Sequence, residues 1–175
     1  ADDADGFLYV GFQRRVSPYF TRIKELLDQG VVGDLGMLNH TEVRDPFHIA
    51  SPGEKGYRYS QEQSGGAILE KNSHEFDVFN WYTGADPVAV SAFGGQHVLS
   101  ENTDILDQAT INVQYDNGAV ANVELCLYNG AGLQDIYDVR VRKTESYRGS
   151  EGIIRVPDED GVVEIDRRNE QNRVR

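Results

Sequence analysis

Residues 109–128 read ATINVQYDNGAVANVELCLY, two strand-type runs on either side of Asp116-Asn117-Gly118. Asn-Gly between strand formers supplies the positive φ that a tight turn demands, so this stretch is predicted as an antiparallel hairpin. Working outward, further strands are expected over 88–98 on one side and over 135–143, 152–156 and 162–165 on the other. Ahead of them the pattern is helical. Ser17-Pro18 places serine at an N-cap and proline in a first turn, Phe20, Ile23, Leu26 and Leu27 share a face, and Gly30 closes the helix. A short apolar run over 7–11 suits a strand, and 35–44 alternates loosely as another. A polar loop over 45–64, with Pro46, Pro52, Gly53 and Gly56, is longer than most connections, and such loops are often functional. Gly65-Gly66 ends it and opens a second helix over 67–82. Helices first and antiparallel strands after them predict an α+β domain: one large, open, mostly antiparallel sheet with helices on one face. Its other face must be solvated or covered by a partner. A single domain is expected over 7–166, with 1–6 and 167–175 as frayed polar ends.

With 175 residues the chain can bury roughly two-thirds of its unfolded surface without a disulfide or metal staple. Its one cysteine, Cys126, lies in an apolar run and is expected to be a buried structural thiol. The net charge of −12 leaves no basic stripe for nucleic acid. No run is apolar for long enough to span a bilayer, and Ala1-Asp2-Asp3-Ala4-Asp5 is the opposite of a signal peptide, so a soluble, cytoplasmic protein is expected. Of the 17 basic residues only Lys24, Lys55, Lys71 and Lys143 are lysine, and the acids outnumber them with 29. Excess acid with scarce lysine suits solubility in high salt, where screening weakens self-repulsion.

The chemistry is concentrated in residues 65–81, GGAILEKNSHEFDVFNW. On a helix Glu70 and His74 are four apart, Asp77 is three further on and Trp81 four beyond, so all fall near one face, bordered by Lys71. A carboxylate beside an imidazole tunes its pKa and fixes its tautomer, as a general acid or base near neutral pH requires. The same set also fits a plain ion pair. Glu70, His74 and Asp77, with His40 or His48, contain metal-ligand types but no established ligand spacing, and no metal is expected.

Several segments, in order, resemble the C-terminal domain of the Gfo/Idh/MocA oxidoreductases, the glucose-fructose oxidoreductase and inositol dehydrogenase type. They are Val10-Gly11-Phe12-Gln13-Arg14-Arg15 with Ser17-Pro18, then Asp28-Gln29-Gly30-Val31-Val32-Gly33-Asp34, then 65–81, then Tyr115-Asp116-Asn117-Gly118 and Gly149-Ser150-Glu151-Gly152. The resemblance implies a dihydrodipicolinate-reductase-like sheet domain that follows a Rossmann domain and packs its exposed face on another subunit, giving a homo-oligomer. It implies hydride transfer between a sugar or cyclitol carbon and NAD or NADP. By position His74 would move the hydroxyl proton, Glu70 would orient it, and Lys71 would assist. Arg14 would contact substrate or cofactor, and Glu42, Arg44 and Asp77 would bind substrate. Glu54-Lys55 is followed by Gly56 and not by proline, so it is not the family's first-domain lysine motif. No glycine-rich phosphate loop occurs in the sequence, so the Rossmann domain is expected to be absent from this chain and the fragment alone to be inactive. Two other functions share these residues: a nicotinamide-dependent glycosidase of the same family, and a non-catalytic sugar-binding or oligomerisation module.

Overall fold

A computed structural model describes residues 5–44, 56–99, 103–128, 142–157, 162–167 and 170–174. The first helix, α1 (Pro18–Asp28), starts at the predicted serine-proline pair, with Ser17 extended and Pro18 at the first turn. Strand β1 (Leu35–Val43) follows. A short helix α2 (Gln61–Ser64) ends at Gly65, whose φ of 74° a side chain would strain. The second predicted helix is not regular. Its start is a π turn over Ile68–Asn72, and only then does it become α3 (Ser73–Thr83), which Gly84 terminates at φ 58°.

Seven further strands complete one sheet: β2 (Pro87–Gly95), β3 (Gln108–Tyr115), β4 (Val120–Cys126), β5 (Arg142–Gly149), β6 (Gly152–Val156), β7 (Val163–Arg167) and β8 (Glu170–Val174). Their order is β2-β3-β4-β1-β5-β6-β7-β8. Every neighbouring pair is antiparallel except β1 and β4. The hairpin turn lies where it was predicted: Gly118 has φ 87°, and the Asn117 side chain accepts a hydrogen bond from the Ala119 amide.

Alternation along the strands sorts the two faces. Ile111, Val113 and Tyr115 of β3 and Ala121, Val123 and Leu125 of β4 point inward, and Ile23, Leu26, Val78, Phe79 and Tyr82 of the two long helices close over that face. The opposite face carries amide and hydroxyl side chains. Asn122 donates to Asn112, Thr41 to Glu124 and Asn39 to Ser146 across neighbouring strands. Two of the motif turns meet: the Ser150 amide donates to the Asp34 carbonyl, the Ser150 hydroxyl accepts from the Asp34 amide, and Glu151 N–H reaches the Val32 carbonyl.

Three expectations are corrected. Residues 7–11 form no strand, because no described strand pairs with them, and Phe7 and Leu8 stand in solvent. The C-terminal stretch is not frayed throughout: β8 extends the sheet by pairing Glu170–Val174 with β7, a backbone ladder that polar side chains do not prevent. Cys126 is half-buried on the outer face, where its thiol contacts the Tyr128 carbonyl. Residues 45–55, with His48, and most of the strand expected over 135–143 lie outside the described residues.

Candidate functional site

The site starts with a change of residue type along one ladder. In β1 the side chains of Leu38, His40, Glu42 and the following Arg44 all turn to the helical face, with exposures of 0%, 0%, 1% and 6%. Antiparallel β5 sets Tyr147 opposite Leu38, Glu145 opposite His40 and Lys143 opposite Glu42. The helix–sheet interface is therefore apolar at one end and charged at the other. Central inward positions of a sheet are normally apolar, since a buried charge is costly unless it is paired.

Each of the buried charges has an opposite charge within 4 Å, although Arg14 Nη1, His40 Nε2, Arg44 Nε and Asn72 Oδ1 are buried without a hydrogen-bond partner. His40 Nδ1 lies 3.2 Å from Glu145 Oε1, and its Nε2 lies 3.4 Å from Glu75 Oε1 and 3.7 Å from Glu42 Oε2. Arg14 Nη2 stands 2.6 Å from Glu75 Oε1, and Arg44 Nη1 donates to Glu42 Oε1 at 2.8 Å. Tyr147 donates its hydroxyl to Glu145 Oε2 at 2.5 Å, and Asn72 Nδ2 reaches Glu75 Oε2 at 3.4 Å. Three carboxylates thus face two guanidiniums and one imidazole. Burial favours neutral His40, but Glu145, Glu42 and Glu75 outweigh it and push its pKa up to about 9. Burial likewise opposes ionisation of Glu42, yet His40, Lys143, Lys71 and Arg44 hold it down at about 2. Glu145 is also lowered: burial acts against the shift and the His40 contact for it. Ligand atoms of His40, Glu42 and Glu75 come within 4.8 Å of one another. Because Arg14 and Arg44 already hold those carboxylates, this set reads as an ion-pair network and not as a cation site.

Of the helix residues singled out from the sequence, Lys71 lies near this network and the others have partners of their own or none. His74, beside Glu75 at the start of α3, is partly exposed; its Nδ1 is buried without a hydrogen-bond partner, and Phe12 meets its ring edge-on at 5.8 Å. Lys71 has a lowered pKa, because burial and the nearby Arg44 and Lys143 outweigh Glu42 and Glu70. Glu70 does not hydrogen-bond His74; it pairs with Arg58 at 2.5 Å, since the π turn between them replaces a regular helical register. Asp77 is held by Arg15 through two bonds of 2.9 and 2.8 Å, and that guanidinium lies 5.8 Å from the Trp81 ring. The structure therefore brings Arg14, Glu42, Arg44 and Lys71 to one end of the interface, sets His74 against Phe12, and leaves Glu70 and Asp77 in separate ion pairs. A cavity of about 260 Å³ opens beside the network, lined by Arg14, Ser17, Tyr19, Phe20, Lys143 and Glu145.

Sequence reasoning missed Glu75, Glu145, Asn72 and Tyr147, and weighed His40 only as a metal ligand. One signal was present: His40, Glu42 and Arg44 alternate on a strand next to Leu38, where an inward-facing run would ordinarily stay apolar. Among the described residues no helix is long and apolar enough to cross a membrane.

The model of the GFO/IDH/MocA C-terminal domain matches residues 20–146 of the chain. Bacillus subtilis has an uncharacterized oxidoreductase, YrbE, that is 31% identical over 119 residues, 67% of this chain and 33% of that protein. An inositol 2-dehydrogenase of Rhizobium meliloti is 29% identical over 158 residues, 87% of this chain and 42% of that protein. An Agrobacterium radiobacter oxidoreductase solved with NAD+, L-tartaric acid and magnesium superimposes with a TM-score of 0.71 at 17% identity, over 91% of this chain and 43% of that one. The chain thus spans less than half the length of each of these three proteins.

Proposed function

The chain belongs to the GFO/IDH/MocA C-terminal domain family, and from that premise we propose that it is the substrate-binding part of an NAD- or NADP-dependent oxidoreductase acting on a hydroxyl of a sugar or cyclitol. The observation that carries this reading is the charged end of the helix–sheet interface. There Arg14, Lys143 and Glu145 line a cavity of about 260 Å³, with buried Glu42 and Arg44 in the same network, and half-buried His74 follows on the helix that supplies Glu75. A polyol needs several hydrogen-bonding groups that are already fixed, so that their ordering costs little on binding. The name of the inositol 2-dehydrogenase relative supports the substrate class.

A nicotinamide held by the full-length protein would supply the hydride acceptor for the carbinol carbon. The chain carries no glycine-rich phosphate loop, so the dinucleotide phosphates do not fit on its residues, and their binding is assigned to a domain outside this sequence. This chain's work is the proton and the alignment of the alcohol. His74 receives the hydroxyl proton as the carbonyl forms, and Lys71, whose pKa is lowered, donates a hydrogen bond to the same oxygen. Arg14, Glu42 and Arg44 hold the remaining hydroxyls, and Arg14, which lines the cavity, is assigned to substrate or cofactor. Asp77 acts through Arg15, which it holds. Glu70, held by Arg58, reaches His74 only if that ion pair opens. The polar outer face of the sheet is assigned to contact with a second copy.

The test is His74→Ala in the full-length protein, with nicotinamide reduction and product analysis on a panel of polyols and glycosides. Loss of general-base help should lower kcat by about 100-fold or more with the cofactor Kd unchanged. Unchanged turnover removes His74 from the mechanism. Glycoside cleavage without net cofactor reduction would replace the dehydrogenase reading with a glycosidase one.

A further inference from the structure

We infer that His40 is a positioning residue for substrate binding: its ring fixes three glutamates from three elements, and two of these glutamates aim Arg14 and Arg44. The inference rests on the reading of the adjacent cavity as the polyol site. His40 is fully buried at the centre of the network and lies within 4 Å of all three carboxylates. Glu42 comes from β1 itself, Glu145 from β5 and Glu75 from α3. Each has a second partner closer to the cavity or to the strand end: Glu75 holds Arg14, Glu42 holds Arg44, and Glu145 lines the cavity.

The charges that face His40 come from every element packed on it. They are Glu42 of β1 and Arg44 just after it, Lys143 and Glu145 of β5, Glu75 of α3, Lys71 of the π turn, and Arg14 from the 3-10 turn before α1. With the imidazolium in place, the three carboxylates are balanced by Arg14, Arg44 and His40. Without it, Glu75 keeps Arg14 and Glu42 keeps Arg44, while Glu145 loses the imidazolium and keeps the Tyr147 hydroxyl. Glu145 must then take up a proton or turn toward a neighbour, and the neighbours are the two arginines and Lys143. The expected consequence is a misdirected Arg14 at the cavity and a misdirected Arg44 at the end of β1, with the fold intact. His40 Nε2 is also too far from either Glu75 or Glu42 for a strong hydrogen bond to one alone, as expected of a cation shared between two anions.

The experiment compares His40→Gln, which removes the charge and keeps a donor, with the double variant His40→Gln/Glu145→Gln, which removes one negative charge as well. Both are made in the full-length protein, with melting temperature, kcat, and KM for polyol and for cofactor measured. The single variant should raise the polyol KM about tenfold with the cofactor KM nearly unchanged. The double variant should recover most of that loss, which a space-filling role for the ring would not produce. A folded single variant with unchanged polyol KM overturns the inference, as does a double variant no better than the single. If the single variant does not fold, the double variant decides alone: folded with near wild-type KM supports the inference, and unfolded or equally impaired overturns it. A wild-type protein that neither binds nor oxidises any polyol fails the functional reading itself, and that failure is seen before any variant is made.

Discussion

Arg14 Nη2 and Glu75 Oε1 lie 2.6 Å apart, tying the 3-10 turn ahead of α1 to the first turn of α3 over the charged end of the sheet. The glutamate is 1% exposed and the arginine 15%, so water solvates neither well. Removing one partner leaves the other charged and buried, and that is far more costly than losing a surface pair.

Glu75→Gln should therefore destabilise the chain by about 3 kcal/mol, measured as a lower midpoint in urea at unchanged slope. The loss should exceed that of Asp77→Asn, because Arg15, its partner, is 46% exposed and remains solvated. Equal losses would mean that the Arg14–Glu75 pair is open to water in solution.

Stability should depend on pH through the same network. His40 binds its proton more tightly when folded, at about 9 against an ordinary 6.5, so its contribution is complete below 6.5 and is lost as the pH rises through 9. Glu42 is held at about 2 against 4.5, so its contribution is complete above 4.5 and is lost as the pH falls through 2. Together the two groups place a stability plateau between about 4.5 and 6.5, with each limb sloping at most about 1.4 kcal/mol per pH unit per proton. Urea unfolding across that range checks it. In His40→Gln the alkaline limb should flatten.

Gly149 ends β5 where a Cβ would stand 2.3 Å from the Val32 carbonyl oxygen and 2.9 Å from that of Asp34. Backbone atoms cannot retreat there, because Val32 and Asp34 are bonded to Glu151 and Ser150. Gly149→Ala should cost about 2 kcal/mol or more, read from the urea midpoint. Gly118→Ala meets no neighbour within 4 Å, and at φ 87° it should cost only its backbone strain, on the order of 1 kcal/mol.

Phe79 is almost fully buried between α3 and the sheet, in the uncharged part of the interface. Phe79→Ala should cost about 3–5 kcal/mol with no change in pH dependence. This separates the loss of packing from the loss of charge balance. A shift of the alkaline limb in that variant would show that the apolar and charged ends are coupled.

Much of the fold was legible in the sequence. Ser17-Pro18 opens α1, Asp116-Asn117-Gly118 turns β3 into β4, and β6 occupies the predicted 152–156, because turns, caps and alternation are local signals carried by the residues themselves. The family resemblance was legible too, and the match over residues 20–146 agrees with it. The run at 7–11 was misread for the opposite reason: apolar character alone does not make a strand when no neighbour supplies a ladder. Helical spacing brought Glu70 toward His74 on paper, and the π turn with Arg58 parted them.

The sequence by itself determined the first helix, the hairpin of β3 and β4, the open sheet and the presence of a histidine on the second helix. Only the tertiary structure decided which charges meet. Glu75 and Arg14 are 61 positions apart, and His40 and Glu145 are 105 apart. Their encounter depends on strand β1 pairing with β5 and on α3 crossing β1, and neither register is written in local periodicity. A buried charge is stable only beside its partner, and that partner is known only once the chain has folded.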